Sequence, residues 1–544
     1  MKSVELLPKR EDITPGKTVK TMKKSIVIFI IALFLGILSI PSLAVAKTPD
    51  LTYWSELDLP FLEVNKKLPA EYDLRDKNLV TSCKDQGWHG TCWSFAAISS
   101  AETNLLMKGL AGGEKKDPGK VDLSELQLAR FMYDRSPDPS GGTKGDKIIN
   151  STDADYLDVG GEAYLTTFAL ASWMGPVKEK KVETSYEDAD KSTKLDKTLE
   201  YDLDLAHLRN AWWVNARDRD SVKSMLMKHG SPIICYYSGY WDYSYHEVPG
   251  ASSTNMTYYN PYSGEMPDHE VAVIGWDDDY PAENFYPSPG KDGAWLVKNS
   301  WGSKWGNDGC FWLSYYDHGI DDYAVFLDFD KADNYQYIYQ YDGGGSTAQD
   351  IAYKKKAFMS NVFKSKKDET LKAVSFFATQ NSKIKYFIQI YTDITDPKDP
   401  QSGRPRLSEK QTGRTSYAGY YTVDLDYPVR LKEKLPFSVV IEFKTGKNEN
   451  IFLPVDTDAQ RYGWSEYDVT SAKGQSFVSK DGEEWKDLSA DGDTNIRIKA
   501  FTDDSEPLWE LWIAGAIGII AFFSFLAALI FRASRKKREE RAKI

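Results

Sequence analysis

Apolar positions in the first half of the chain recur at the three-to-four spacing of helices, then give way to short runs and alternation. Phe95, Ile98, Ala101 and Leu105 predict a helix over 94–106. A second is expected over 123–133 with Ser124 placed to cap it, a third over 161–173, and a fourth over 222–229 that Gly230 stops. Short apolar runs at 232–237, 270–276 and 294–299 read as buried strands, and 310–315 alternates beside Gly306 and Gly309. Helices first and strands second predict an α+β domain with its site at the seam. Beyond 328, the segments 371–379, 384–392, 419–425, 437–443 and 495–501 suit strands between turns rich in Asp, Gly, Pro and Lys. That pattern predicts an all-β domain built as a sandwich. The polar stretches 134–160 and 393–416 read as a loop and as an insertion on the β domain.

The two ends carry apolar runs of another kind. Lys23 and Lys24 precede the apolar stretch 26–38, and Pro41 and Ala44-Val45-Ala46 follow it. A basic flank, an apolar core and an Ala-x-Ala exit predict a secretory signal over 1–46, and the long leader leaves a retained anchor as the alternative. Residues 511–531 form a second run with one polar member, Ser524. As a helix it would rise roughly 30 Å, the thickness of the hydrocarbon core. Trp509 and Trp512 stand at one end and Arg532, Arg535, Lys536, Lys537 and Arg538 at the other. Indoles favour the interface and clustered bases stay inside the cell. The expected layout is a signal segment 1–46, a lead-in 47–67, an α+β domain 68–320, a β domain 328–503, a transmembrane helix 509–531 and a basic cytoplasmic tail 532–544. Both domains would face outward from the cell membrane, with membrane contact through the C-terminal helix.

Composition narrows the function classes. With 544 residues, 41% of them hydrophobic and 13% aromatic, the chain can fill two or three cores and leaves no case for long disorder. Its net charge is −12, and the outward segment is more acidic still because both ends are basic. Phosphate backbones would be repelled, so nucleic acid is excluded as a partner. Four cysteines, Cys83, Cys92, Cys235 and Cys310, are too few for a disulfide scaffold of this length. If Cys92 is kept free for chemistry, at most one bridge joins the other three. The stretch 210–256 is rich in aromatics (Trp212, Trp213, Tyr237, Tyr240, Trp241, Tyr245), suited either to shaping a substrate pocket or to packing on the second domain.

Three short motifs carry chemistry. Cys92 stands just ahead of the first predicted helix, after Gln86-Gly87-Trp88-His89-Gly90-Thr91. A helix N-terminus favours a thiolate, and the thiolate attacks carbonyls. His269 follows Pro267-Asp268 and opens an apolar strand, which would set its imidazole at a cleft, pair it with the sulfur and let it protonate a leaving amine. His89 is the rival base by proximity and reads better as a rim residue. Asn299 would accept from the imidazole N–H and hold the ring, with Trp301 covering that bond. Gln86 and the Cys92 N–H would hold an oxyanion. Each residue also has a plainer reading: inert cysteine, structural histidine, turn asparagine, core tryptophan, surface glutamine. A thiol, an imidazole and an amide suffice for acyl transfer, with no metal or organic cofactor needed.

These residues resemble the motifs of the papain-like cysteine peptidases of the C1 family. Gln86-Gly87 and Gly90-Thr91-Cys92-Trp93-Ser94-Phe95 are similar to the oxyanion and nucleophile motif, Asp268-His269-Glu270-Val271 to the histidine motif, and Asn299-Ser300-Trp301-Gly302 with Trp305-Gly306 and Gly309 to the asparagine motif. Leu68-Pro69-Ala70-Glu71-Tyr72-Asp73 resembles the start of a mature enzyme, and Leu123-Ser124-Glu125 the next helix opening. The resemblance implies a two-lobed fold, a Cys-His-Asn triad of Cys92, His269 and Asn299, Gln86 as oxyanion donor, a strand edge at Gly160-Gly161 that hydrogen-bonds the substrate backbone, and Trp301 as a further substrate-binding residue. It implies a polypeptide substrate and hydrolysis through a thioester. The same acyl-enzyme serves a transpeptidase or ligase, and a catalytically inactive adhesion protein is the third reading. The family's usual cysteine three residues before the nucleophile is His89 here, so its bridge is absent. Residues 328–503 resemble, more loosely, the lectin-like domain that follows such peptidases in prokaryotic surface proteins. That implies contact with a cell-envelope protein or glycan, or a scaffold role.

Overall fold

Helix α1 (Cys92–Lys108) is the axis of the first half of the fold. The four apolar positions at helical spacing face the core, and so does nearly everything else: Trp93 through Leu106 are all buried. A helix buried all round must find partners for its polar side chains. Glu102 accepts from the Leu123 N–H at 2.8 Å and from the Thr81 hydroxyl. Asn104 donates to the His229 carbonyl at 2.8 Å and accepts from the Phe329 N–H at 2.9 Å. Among the described residues, three further helices of two turns or more follow: α2 (Glu125–Met132), capped by Ser124, which accepts from the Gln127 N–H at 3.3 Å; α3 (Ala163–Ala171); and α4 (Arg219–His229), capped by Asp218 and ended at Gly230.

The computed structural model describes residues 68–505, except 114–115, 134, 138–146, 151–154, 240–244, 249–254, 344–350, 380–383, 447–448, 458–459 and 462–464, together with 524, 525, 527 and 532. The expected signal segment and lead-in, and the expected span and tail but for those four residues, lie outside the described residues. Among the described residues no helix is long and apolar enough to cross a membrane.

Nine strands carry the argument: β1 (Ala206–Asn215), β2 (Ile233–Tyr236), β3 (His269–Asp277), β4 (Ala294–Lys298), β5 (Cys310–Ser314), β6 (Tyr323–Lys331), β7 (Glu369–Ala378), β8 (Ala418–Leu431) and β9 (Ile498–Asp504). Among the described residues one thirteen-stranded sheet runs in the order Tyr337–Tyr339, β9, β7, β8, β1, β6, β2, β3, β4, β5, Met256–Tyr258, Tyr245–Glu247, with Glu71–Asp73 added on β3. Helix α1 packs on β3 and β6. The sheet therefore passes without a break from the α+β half into the β half, although the sequence suggests two separate bodies. The joint is β8 on β1, with Ala418, Gly419 and Tyr420 opposite Trp213, Trp212 and Ala211. Gly419 makes it feasible: its φ is 137°, and a Cβ there would fall 2.0 Å from the Ala211 carbonyl oxygen.

The β half closes as a sandwich. A seven-stranded sheet centred on Lys356–Lys364, Pro436–Lys444 and Lys385–Thr392 faces β7, β8 and β9. Phe376, Val374 and Ile498 from one side meet Ile388, Val439 and Ile441 from the other. The polar insertion 393–416 is held down by two short strands, Arg404–Pro405 and Gln411–Arg414, on Lys385–Thr392. The loop 134–160 likewise contains a strand, Lys147–Asn150, which pairs with Ser465–Asp468 of the β half.

Side chains lock the two halves as firmly as the backbone does. Arg497 is fully buried, 3.1 Å from Asp456 and 3.6 Å from Asp342, and its guanidinium lies 3.9 Å from the Phe168 ring of α3. Phe377 of β7 meets the same ring at 4.9 Å. Trp213 contacts Tyr164 at 4.7 Å and Phe377 at 6.4 Å. Of the two uses open to the aromatic stretch, Trp212 and Trp213 serve packing on the second domain. Tyr245 packs edge-on against Trp301, with ring centroids 5.3 Å apart, and Tyr240 and Trp241 lie outside the described residues. All four thiols are free, so the one bridge the cysteine count allowed does not form. Cys83 instead donates to the Asn299 carbonyl at 2.8 Å.

Candidate active site

The start of α1 is left open for chemistry. Cys92 is its first residue, so no helical carbonyl can reach the Cys92 N–H. Thr91, the N-cap, does not close the turn with its side chain. Its hydroxyl bonds the Tyr186 hydroxyl, which donates in turn to the Gln86 carbonyl at 3.1 Å. Cys92 as a residue is half-buried. Burial pushes the Cys92 thiol up to about 12, while the backbone N–H groups of Glu270 and Trp93, which lie against the sulfur, pull the other way. The helix start thus lies beside the first residues of β3.

His269 opens β3 and is buried. Asn299 Oδ1 accepts from the Ser300 N–H at 2.8 Å, which fixes that atom as an oxygen, and it accepts from His269 Nε2 at 2.8 Å. The imidazole therefore carries its proton on Nε2, and Nδ1 is the nitrogen left for another partner. Trp301 stacks on the ring with centroids 5.1 Å apart at 29°, and Tyr236 closes another side at 5.8 Å. Burial holds the His269 pKa below its ordinary value, against the hydrogen bond it donates to Asn299 and the charge of Asp268.

Gln86 is no surface residue; 7% of it is exposed. Its Oε1 accepts from the Ser300 hydroxyl, and its Nε2 donates one proton to the His89 carbonyl at 2.7 Å. The second Nε2 proton has no role in that clamp. His89 itself sits on the rim, its ring 3.0 Å from Asp158. Gly161 packs directly on Trp93: a Cβ there would lie 2.4 Å from the indole, so only glycine fits beside this neighbour of Cys92. Gly160 (φ 80°) has open space where a side chain would be, and its carbonyl accepts from the Tyr133 hydroxyl at 2.7 Å. The segment is irregular backbone rather than a ladder strand.

Two contributors escape a reading by sequence. Ser300 organises both Gln86 and Asn299, and its place between Asn299 and Trp301 was the available signal. Glu270, beside His269, is buried; its Oε1 accepts from the Ala163 N–H at 2.9 Å, tying β3 to the start of α3. Burial pushes its carboxyl up to about 8, with Glu162 and Asp321 adding to the effect.

Residues 68–326 match the papain family cysteine protease domain, and residues 338–502 match the lectin like domain. Cysteine proteinase 1 of Zea mays is 29% identical over 249 residues, 45% of this chain and 56% of the maize protein. Cysteine proteinase 15A of Pisum sativum is 29% identical over 252 residues, 57% of its own length. The chain thus spans little more than half the length of these curated relatives. The solved structure of the cysteine protease and lectin-like domains of Cwp84, a surface layer associated protein of Clostridium difficile, aligns with a TM-score of 0.65 and 25% identity, covering 81% of this chain and 90% of that one. The chain accordingly carries a papain family cysteine protease domain at 68–326 and a lectin like domain at 338–502.

Proposed function

We propose that this chain is an outward-facing, membrane-anchored cysteine endopeptidase that cuts polypeptides through Cys92, His269 and Asn299. The observation that carries the reading is the 2.8 Å bond from His269 Nε2 to Asn299 Oδ1, made at the strand start whose next N–H faces the Cys92 sulfur. Taken singly, burial opposes charge on both the thiol and the imidazole. Taken as a pair, transfer of the thiol proton to Nδ1 puts opposite charges side by side and lets each offset the other's desolvation.

The thiolate adds to the scissile carbonyl, and the new oxyanion meets the Cys92 N–H and the second Nε2 proton of Gln86. His269 gives its Nδ1 proton to the departing amine as the C–N bond breaks, leaving a thioester. The same nitrogen then takes a proton from water, which attacks the thioester and frees the acid and the thiol. The backbone of Gly160 and Gly161 would hold the acyl side of the substrate, and Trp301 would shield the His269–Asn299 bond from water.

The basic-apolar-Ala-x-Ala opening over 1–46 and the apolar run with its basic stop over 509–544 support secretion and anchoring, and the surface-layer association of Cwp84 supports an outward location. The sheet shared through β1 and β8 supports a scaffold role for the β domain. The test is digestion of a denatured protein by the wild-type chain and by Cys92→Ala, followed by mass spectrometry. New termini with the wild type and none with the variant support the reading; equal cleavage by both refutes it.

A further inference from the structure

The loop between Gln86 and Cys92 holds a residue that the proposed mechanism leaves unused. Trp88 is 94% exposed. An indole so open is commonly on a mobile tip, but this loop is fastened on both sides. On the near side, the Gln86 N–H donates to the Ser300 carbonyl at 2.8 Å and the Gly302 N–H to the Lys84 carbonyl at 3.0 Å. Asp85 bridges to Trp301 and accepts from the Gly87 N–H at 2.9 Å. On the far side, the His89 ring is 3.0 Å from Asp158, and the Gln86 amide holds the His89 carbonyl. The fold therefore presents the indole to water from a pinned backbone four residues before the nucleophile. Large rigid aromatics held in this way are characteristic of surfaces that bury them against a ligand.

The side of the cleft follows from the mechanism. His269 delivers its proton to the leaving amine, so His269 and Trp301 mark the leaving-group side of the scissile bond. Residues 84–87 are laced to 300–302 by the bonds just described, whereas Gly160 and Gly161 lie on the other side, against Trp93. The segment running into His269 adds a second open apolar side chain, Met266, three residues before the imidazole and 73% exposed.

We propose that Trp88 is the wall of a subsite for an apolar or aromatic substrate residue on the leaving-group side of the scissile bond. This rests on the peptidase reading above and adds a preference to it. Acyl-enzyme partitioning isolates that side, because the acyl half is already fixed when the choice is made. The full chain is acylated by a peptide ester, and the thioester is divided between water and an added amine: phenylalaninamide or glycinamide. The wild type is expected to favour phenylalaninamide by about tenfold, Trp88→Ala to bring the ratio within about twofold, and Trp88→Phe to hold an intermediate value. Tyr427→Ala, which removes an open aromatic from the β domain (60% exposed), is expected to keep the wild-type ratio. A ratio unchanged in Trp88→Ala, or lost equally in Tyr427→Ala, overturns the proposal. A wild type that turns over no ester strikes the peptidase reading first, and the subsite falls with it.

Discussion

Gln86 offers a sharp test, because its side chain has one job in the fold and another in the proposed chemistry. In the fold, the amide is clamped by the Ser300 hydroxyl and the His89 carbonyl. In the chemistry, only its second N–H acts. Gln86→Ala removes both. The structural part leaves the buried Ser300 hydroxyl short of a partner, about 1–3 kcal/mol in stability, and releases the partly buried His89 carbonyl. The catalytic part removes one of two oxyanion donors, about 3 kcal/mol in the transition state, or about a hundredfold to a thousandfold in kcat. Two assays separate them. Hydrolysis of a peptide substrate involves an oxyanion; alkylation of Cys92 by iodoacetamide does not. The expected result is a loss of about two to three orders of magnitude in kcat with alkylation preserved to within about twofold, in protein whose melting shows it folded. Gln86→Glu keeps the acceptor for Ser300 but offers no donor, so it should be at least as inactive. Peptide hydrolysis within about threefold of wild type, or alkylation falling in step with hydrolysis, would refute the assignment.

Asn299→Ala removes the acceptor that fixes the His269 tautomer and ring; kcat should fall about tenfold to a hundredfold, part of the whole acid-base contribution, and undiminished turnover would contradict the orienting role. Glu270→Gln keeps an acceptor for the Ala163 N–H but removes a carboxyl that burial raises from 4.5 to about 8. Between those pH values the unfolded chain releases a proton that the folded chain keeps, so wild-type stability falls as pH rises through the window, by at most about 5 kcal/mol. The variant should show a shallower decline in chemical denaturation from about pH 5 to 8, and parallel curves would sink the idea.

Much of the helical half can be read from the chain because its signals are local. The spacing of Phe95, Ile98, Ala101 and Leu105, the cap at Ser124 and the stop at Gly230 each act within a few residues, and the structure places elements there. The chemical motifs are legible for the same reason: Cys92 needs a helix start, and His269 a strand start. What escapes is long-range. Strand β1 contains Leu208, Trp212, Trp213 and Val214 without clean alternation, because one edge pairs with β6 and the other with β8 two hundred residues later. Strand Lys147–Asn150 lies within a polar loop, and its partner Ser465–Asp468 lies in the other half. Strand β6 falls at the expected domain boundary, where the shared sheet erases the boundary the sequence suggests. Within the site, the buried clamp on Gln86 depends on Ser300, 214 residues away, and the sequence around Gln86 carries no mark of that partner.

The claim beneath all of this is that Cys92 and His269 form one ionising unit. Burial pushes the lone thiol up to about 12 and the lone imidazole down, so the proposed mechanism assigns an early thiolate to mutual pairing. The direct measurement is the rate of Cys92 alkylation by iodoacetamide against pH, in the wild type and in His269→Ala. Pairing predicts a wild-type thiolate reactive by about pH 6 and a variant whose reactivity appears only above about pH 8.5. Two superimposed profiles, both rising in the alkaline range, would contradict the account.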